Sequence, residues 1–447
     1  MGDTTAVTMR EHLPAPLART AGAVRRRLRG LRYSYTQLPA FPPVADTPVR
    51  MLVGPTNSAG QGHSWAQAAR TIDGVSAVSF ALQRKGQFQF AADYGVPLAW
   101  FGQPRWQRAQ EQYVVQSSTH VMVESLRPLL GARGFPDAEA DIAVLRAHGI
   151  NVSLLFHGSD IRLPSRHAQR ERWSPFIPGD ELTERLERQA SRHAELVESL
   201  GLPVFVSTVD LLDDVPEAQW LPVAIDPQPW QQSARPLFAG PKPVVAHIPS
   251  NAKLKGTAEI DAVLTGLHRS GRIEYRRITG VPHDRMPGVV GEADIVVDQL
   301  HIGLYGVAAA EALAAGRIVV SYVGESVRRR VRSLAGREVP IVEADPDTLG
   351  DVVTGLIADR DAAAERAAEG PGFVAELHDG RRSAEALKNW LISKETLRRP
   401  ASRRPPTSTT APGSATARRS GTWPRSARTR SWARTASSAA APMSAPA

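Results

Sequence analysis

The 447-residue chain contains no cysteine, so disulfides and thiolate metal sites are excluded. It has no apolar run near the roughly 18–20 residues needed to span a bilayer. Its N-terminus lacks the apolar core of a signal peptide, so a cytoplasmic protein is expected. Lysine is scarce, six of the 54 basic residues, which together with abundant alanine and glycine suggests a GC-rich bacterial source. Acidic residues are missing altogether from 396 to 447, where ten arginines stand.

That last absence accounts for the charge. The tail carries +10 and the first 34 residues +5, so the overall +9 leaves the body, 35–395, at −6. A nucleic-acid binder concentrates basic charge on its folded part. No nucleic-acid partner is therefore expected. The length allows two or three domains, and 42% hydrophobic residues suffice for sizeable cores.

Residues 1–45 read as a basic N-terminal extension. Arg25, Arg26, Arg27 and Arg29 fall in a short amphipathic pattern. Such a segment can make peripheral contact with an anionic membrane at its cytoplasmic face, although a solvated basic extension is the commoner outcome. Residues 396–447, rich in Arg, Ser, Ala and Pro without hydrophobic period, are expected to be a disordered tail.

Between these ends, strands are predicted at 49–54, 77–80, 97–101, 120–123, 152–156 and 204–207, with helices among them at 141–148 and 181–200. The Pro- and Gln-rich stretch 227–241 reads as a linker. Further strands follow at 244–248, 273–278, 295–297, 318–322 and 339–343. Helices are expected at 257–267 and 307–315, then in two pieces over 363–391. Such alternation gives an α/β fold with parallel sheets. The expected domains are 46–228 and 243–375, joined by a linker at 229–242 and followed by a C-terminal helix at 376–395.

In open α/β sheets, ligands gather at the C-terminal ends of strands. Four such places carry polar residues. After the first strand comes a turn with Gly60, Gln61, Gly62 and His63. It lacks the third glycine of a dinucleotide fingerprint, so NAD is not expected. After 152–156 stand His157, Gly158, Ser159 and Asp160, too few ligands for a metal site. After 244–248 come Ser250, Lys253 and Lys255. The stretch 293–323 reads as strand, loop with Gly303 and Gly306, helix with the single acid Glu311, helix-ending Gly316, and strand. A glycine-bearing loop at a helix N-terminus presents free N–H groups to an anion. Asp345 and Asp347 have metal-motif spacing but read as a helix start, with Asp345 as N-cap and Pro346 at N1. Asp359 and Asp361 read as a helix junction.

The run from Glu311 through Gly316 to Val320 resembles the donor-sugar segment of retaining glycosyltransferases of the GT-B fold, group 1 or family 4. Their pattern is a Glu, seven residues, a second Glu, then Gly-x-Pro-Val-Val. Ser207 to Leu212 and Trp220 to Asp226 resemble further segments of the same family, and the likeness extends over 49–391. It implies two Rossmann-like domains facing each other across a cleft. It also implies metal-independent transfer of a hexosyl group, with retention, from a UDP- or GDP-linked sugar to a glycan, lipid or small-molecule acceptor, without a cofactor. By this resemblance Lys255 and the N–H groups of Leu304, Tyr305, Gly306, Val307 and Ala308 would hold the diphosphate. Glu311 would hold the ribose hydroxyls, and His157 would hydrogen-bond the transferred sugar or help orient the acceptor. Gly60, Gln61, Gly62, His63 and Asp160 would face the acceptor. The sequence departs from the family at two donor positions. Gly303 stands where the first Glu falls. Ser250 stands where an Arg is usual, and Lys253 would supply that charge. Two alternatives stand beside this reading: a GT-B sugar-nucleotide epimerase, which would act without an acceptor, and a catalytically inactive GT-B binding or scaffold protein, to which the two departures point.

Overall fold

A computed structural model describes residues 37–83, 90–134 and 136–392. The arginines of the N-terminal extension and the 396–447 tail, with the expectations placed on them, lie outside the described residues.

Two parallel sheets organise the chain. The first holds β1 (Val49–Gly54), β2 (Val75–Gln83), β3 (Tyr94–Pro97), β4 (His120–Glu124), β5 (Asn151–Phe156), β6 (Val204–Val206) and β7 (Gln219–Trp220). Their order is β3-β2-β1-β4-β5-β6-β7, parallel throughout. The second holds β8 (Val244–His247), β9 (Glu274–Arg277), β10 (Ile295–Val297), β11 (Ile318–Ser321) and β12 (Val342–Glu343), in the order β12-β11-β10-β8-β9 and likewise parallel.

Parallel strands are covered on both faces, so they read as continuous apolar runs rather than alternating ones. β4 and β10 are buried at every position. On one face of the first sheet, Trp65 from helix Gln61–Arg70 and Leu387 and Leu391 from helix Arg381–Leu391 join Met51, Val53 and Met122. On the other, Trp106, Ile142, Leu145 and Val197 from three helices pack on Leu52, Val121 and Leu154. The second sheet is sandwiched in the same way. Leu313 and Phe373 cover one face, and Ile260, Leu264 and Val353 the other.

The structure corrects four local expectations. The apolar run at 97–101 is not a strand: β3 ends at Pro97 and a 3-10 turn, Leu98–Trp100, follows. β3 is an edge strand, so Pro97, which has no N–H to donate, is tolerated at its last pairing with Gln83. The stretch read as a linker contains a short helix, Gln228–Ser233, whose Trp230 is buried with Met286 and Val290 in the second domain's core. The strand expected at 339–343 shrinks to β12. Asp345 accepts from the backbone N–H groups of Asp347 and Thr348, and so closes a turn ahead of helix Leu349–Ala358 rather than capping it. Asp359 does cap helix Arg360–Leu377, accepting from Ala362 N–H at 3.1 Å.

The chain passes between the domains twice, and the two crossings lie side by side. Ile225 N–H donates to the His378 carbonyl at 2.6 Å. Burial pulls the His378 pKa down to about 4, so the ring is neutral, and its Nδ1 donates to the Val223 carbonyl at 2.9 Å. Trp65 Nε1 and Ser383 Oγ both donate to the Pro222 carbonyl. A first-domain segment also reaches the second domain. His167 Nε2 donates to the Ile302 carbonyl at 3.0 Å, Tyr322 donates to Glu171 at 2.6 Å, and Lys253 pairs with Asp180 at 2.6 Å. Among the described residues no helix is long and apolar enough to cross a membrane.

Candidate functional site

A cleft of about 870 Å³ lies between the C-terminal edges of the two sheets. The loops after β1, β4, β5 and β6 form one wall, and those after β8, β9 and β10 the other. Placement at strand C-termini follows from the topology, because neighbouring loops there splay apart and leave a crevice.

The first wall is built around Glu124, the fully buried last residue of β4. Its Oε2 accepts from the N–H groups of Thr56 and Asn57 at 2.8 and 2.7 Å, which fixes the turn after β1. Its Oε1 lies 3.1 Å from His157 Nε2. The His157 ring stacks on Trp65, with centroids 5.6 Å apart. Burial works against protonating this ring, but the Glu124 carboxylate, helped by Asp160, outweighs it and raises the His157 pKa. Asp160 accepts from the N–H groups of His157 and Gly158 and from the Ser125 hydroxyl, so it shapes the loop that carries His157.

On the second wall, helix Val307–Ala314 starts at the cleft, which Gly306, Val307 and Ala308 line. Its first N–H groups have no helical acceptor and point their partial positive charge into the space. Lys255 Nζ donates to Asp298 at 2.6 Å and to the Ile248 carbonyl at 3.3 Å. An ammonium has three donors, so one remains for a ligand. Glu311, 8% exposed on an otherwise apolar helix, faces the cleft, and its Oε1 lies 2.7 Å from His283 Nε2. That bond is the main cause of a raised His283 pKa. The Glu311 pKa is also raised, by burial that His283 only partly offsets.

Of the residues singled out in the sequence, Gln61, His157, Asp160, Ser250, Lys255, Leu304, Gly306, Val307, Ala308 and Glu311 line this one cleft. Gly60, Gly62, His63, Lys253, Gly303 and Tyr305 do not. Gly60 sits against the Phe90 ring, and Gly62 lies close over Asn57 and Glu124. The helix after β1 begins at Gln61, and on it His63 faces Ser79 and Asp93. Gln61 itself is fully engaged, accepting from Ala224 N–H and donating to its carbonyl. Lys253 is committed to Asp180 across the domain boundary. Tyr305 points into the core, with its hydroxyl on His378. Gly303 takes a left-handed φ of 72°, and a Cβ there would meet the Glu171 carboxylate at 2.9 Å. A side chain at 303 would therefore point away from the cleft, at Glu171.

Sequence reasoning missed Glu124, His283 and Asp298. Glu124 carried a signal, an acid closing an apolar strand. His283 and Asp298 carried none until the fold brought them to Glu311 and Lys255.

No protein-family model matches the chain, and no curated protein does. Solved structures of similar fold include a glycosyltransferase from Rickettsia africae ESF-5, at 11% identity and a TM-score of 0.48, over 79% of this chain and 100% of that one. Sucrose-phosphate synthase from Thermosynechococcus elongatus aligns at 12% identity and 0.49, over 76% and 97% of the two chains. HepE of Anabaena, in complex with UDP and glucose, aligns at 12% identity and 0.48, over 77% and 99%. At these identities and TM-scores the likenesses assign neither activity nor substrate to this chain. The GT-B arrangement of two facing parallel α/β domains stands on the topology described above.

Proposed function

We propose that the protein is a glycosyltransferase that moves a hexosyl group from a nucleotide-diphosphate sugar to an acceptor bound on the first domain, with retention and without a metal ion. The observation that carries this reading is the convergence of the helix start at Gly306, the spare donor of Lys255 and the Glu311 carboxylate on one cleft wall, opposite His157. A diphosphate at that wall meets N–H dipoles and an ammonium. Both gain strength as negative charge grows on the leaving group. His283, whose pKa the contact with Glu311 raises, lines the same wall. Glu311 gives one oxygen to His283 and keeps the other for a ribose hydroxyl. The raised pKa of His157 supports a role as hydrogen-bond donor to the transferred sugar.

The test is calorimetry with UDP and GDP on the full chain, followed by mass analysis of products from UDP- and GDP-hexoses. Micromolar binding of one nucleotide and release of the sugar from its hexose conjugate are expected. Absence of nucleotide binding would refute the reading.

A further inference from the structure

The first wall contains a feature that the donor chemistry leaves unused. Among the described residues, nine charged or titratable ones line the cleft: Arg127, His157, Asp160, Arg162, Arg185, Lys255, His283, Asp298 and Glu311. Most are matched. Lys255 pairs with Asp298, His283 with Glu311, Arg162 with Asp210 and His157 with Glu124. Asp160 has no cation bonded to it, but both its oxygens are occupied by backbone N–H groups and the Ser125 hydroxyl. Arg127 and Arg185 remain. Both are exposed, and among the described residues neither side chain has a hydrogen bond or an ion pair.

Their positions are built rather than incidental. Arg127 follows Ser125 and Leu126, both held at left-handed φ of 55° and 48°, a backbone that non-glycine residues seldom adopt. Its own N–H donates to the Glu124 carbonyl at 3.0 Å, so the loop is anchored on the same residue that holds His157. Arg185 stands near the start of helix Glu181–Leu200. That helix is tied to the His157 loop, because His193 Nδ1 donates to the Asp160 carbonyl at 2.6 Å. Gln189, one turn beyond Arg185, also lines the cleft. Of the other described arginines of this domain, Arg166 and Arg170 pair with Asp214 and Asp213 and Arg192 with Asp137, while Arg105, Arg108 and Arg146 are exposed and unmatched but do not line the cleft. What sets Arg127 and Arg185 apart is that both, unmatched, line the cleft.

The structure assigns Arg127 and Arg185 to an oxyanion subsite for the acceptor, and we infer that the acceptor carries a phosphate. This rests on the glycosyl-transfer reading, since only then does the first wall hold the acceptor. Two planar guanidinium groups suit bidentate contact with a tetrahedral oxyanion. The donor diphosphate already has its cations on the opposite wall, so these two would otherwise face the cleft without a counter-charge.

The test uses the full chain, with glucose 6-phosphate and inorganic phosphate as probes, glucose as the uncharged control, and UDP and GDP as reporters of the donor wall. Calorimetry should show binding of both phosphate probes and none of glucose. Arg127→Gln and Arg185→Gln should each weaken glucose 6-phosphate binding by about tenfold or more, as expected for loss of a charge-assisted contact, and leave nucleotide affinity within twofold. Neither residue packs in a core, so thermal melting should be unchanged. No binding of either phosphate probe by the wild type, or affinity for them unchanged in both variants, would overturn the subsite. Nucleotide affinity falling in parallel in the variants would overturn it too, by placing the arginines at the donor. Failure of UDP and GDP to bind the wild type strikes the glycosyltransferase reading instead, and is read independently of the phosphate titrations.

Discussion

Replacing Glu124 by Gln tests how the first wall is held together. The carboxylate serves three donors at once: two backbone N–H groups on Oε2 and the His157 ring on Oε1. An amide of the same shape keeps one acceptor oxygen. If that oxygen stays with Thr56 and Asn57, the NH₂ faces His157 Nε2, which must then accept and so remain neutral. Burial alone lowers a histidine pKa, so that of His157 should fall from above its ordinary 6.5 to below it. A hydrogen bond to a charged partner contributes about 1.5–3 kcal/mol, and each unit of pKa shift corresponds to about 1.4 kcal/mol. A pKa raised on folding adds stability that is fully present below the unfolded value of 6.5 and is lost as pH rises through the folded value. The wild type should thus exceed Glu124→Gln by roughly 1.5–3 kcal/mol at pH 6, with the gap narrowing as the pH climbs towards 9. Urea unfolding followed by tryptophan fluorescence reads this, since Trp65 stacks on the His157 ring. A gap that is constant with pH, or that widens on the alkaline side, would refute the reasoning.

On the donor wall, Lys255→Ala should weaken UDP or GDP binding by more than tenfold in calorimetry, because it removes the spare ammonium donor and leaves Asp298 facing the diphosphate unpaired. Glu311→Gln should lower nucleotide-sugar affinity by on the order of 1–3 kcal/mol, while leaving the melting temperature nearly unchanged. Equal affinities would remove Glu311 from the site. Gly303→Ala should destabilise the fold by about 1–2 kcal/mol in urea, from the left-handed φ and the clash with Glu171. Gly306→Ala, at φ −131° with open space around it, should not.

Much of the fold was legible because its signals are local. Apolar runs ending in polar turns located ten of the twelve strands among the described residues to within a few positions. The exceptions were β3, displaced because aromatic residues are buried in a turn as well as in a strand, and the two-residue β7, too short for any period. Glu311 was legible for a related reason: a lone carboxylate on an apolar helix must face something polar. Pairings between distant segments were not. Nothing near Lys253 in sequence announces Asp180, 73 positions away, and nothing near Glu311 announces His283. The orientation of His63 depended on where its helix begins.

The adjacent crossings at 222–225 and 378 have a mechanical consequence. A chain that joins two bodies at widely separated points restrains their relative motion in several directions. Here both covalent links are hydrogen-bonded to each other, through Ile225 and His378 and through Val223 and His378. They act as one hinge pin, about which one body can swing against the other. The contacts of His167, Glu171 and Asp180 lie away from that pin and set the angle at rest. Widening the cleft requires the contacts on the opening side to part, while the pin can stay intact. Substitutions at these three residues should therefore change how quickly a ligand leaves the cleft, even though none of their side chains lines it.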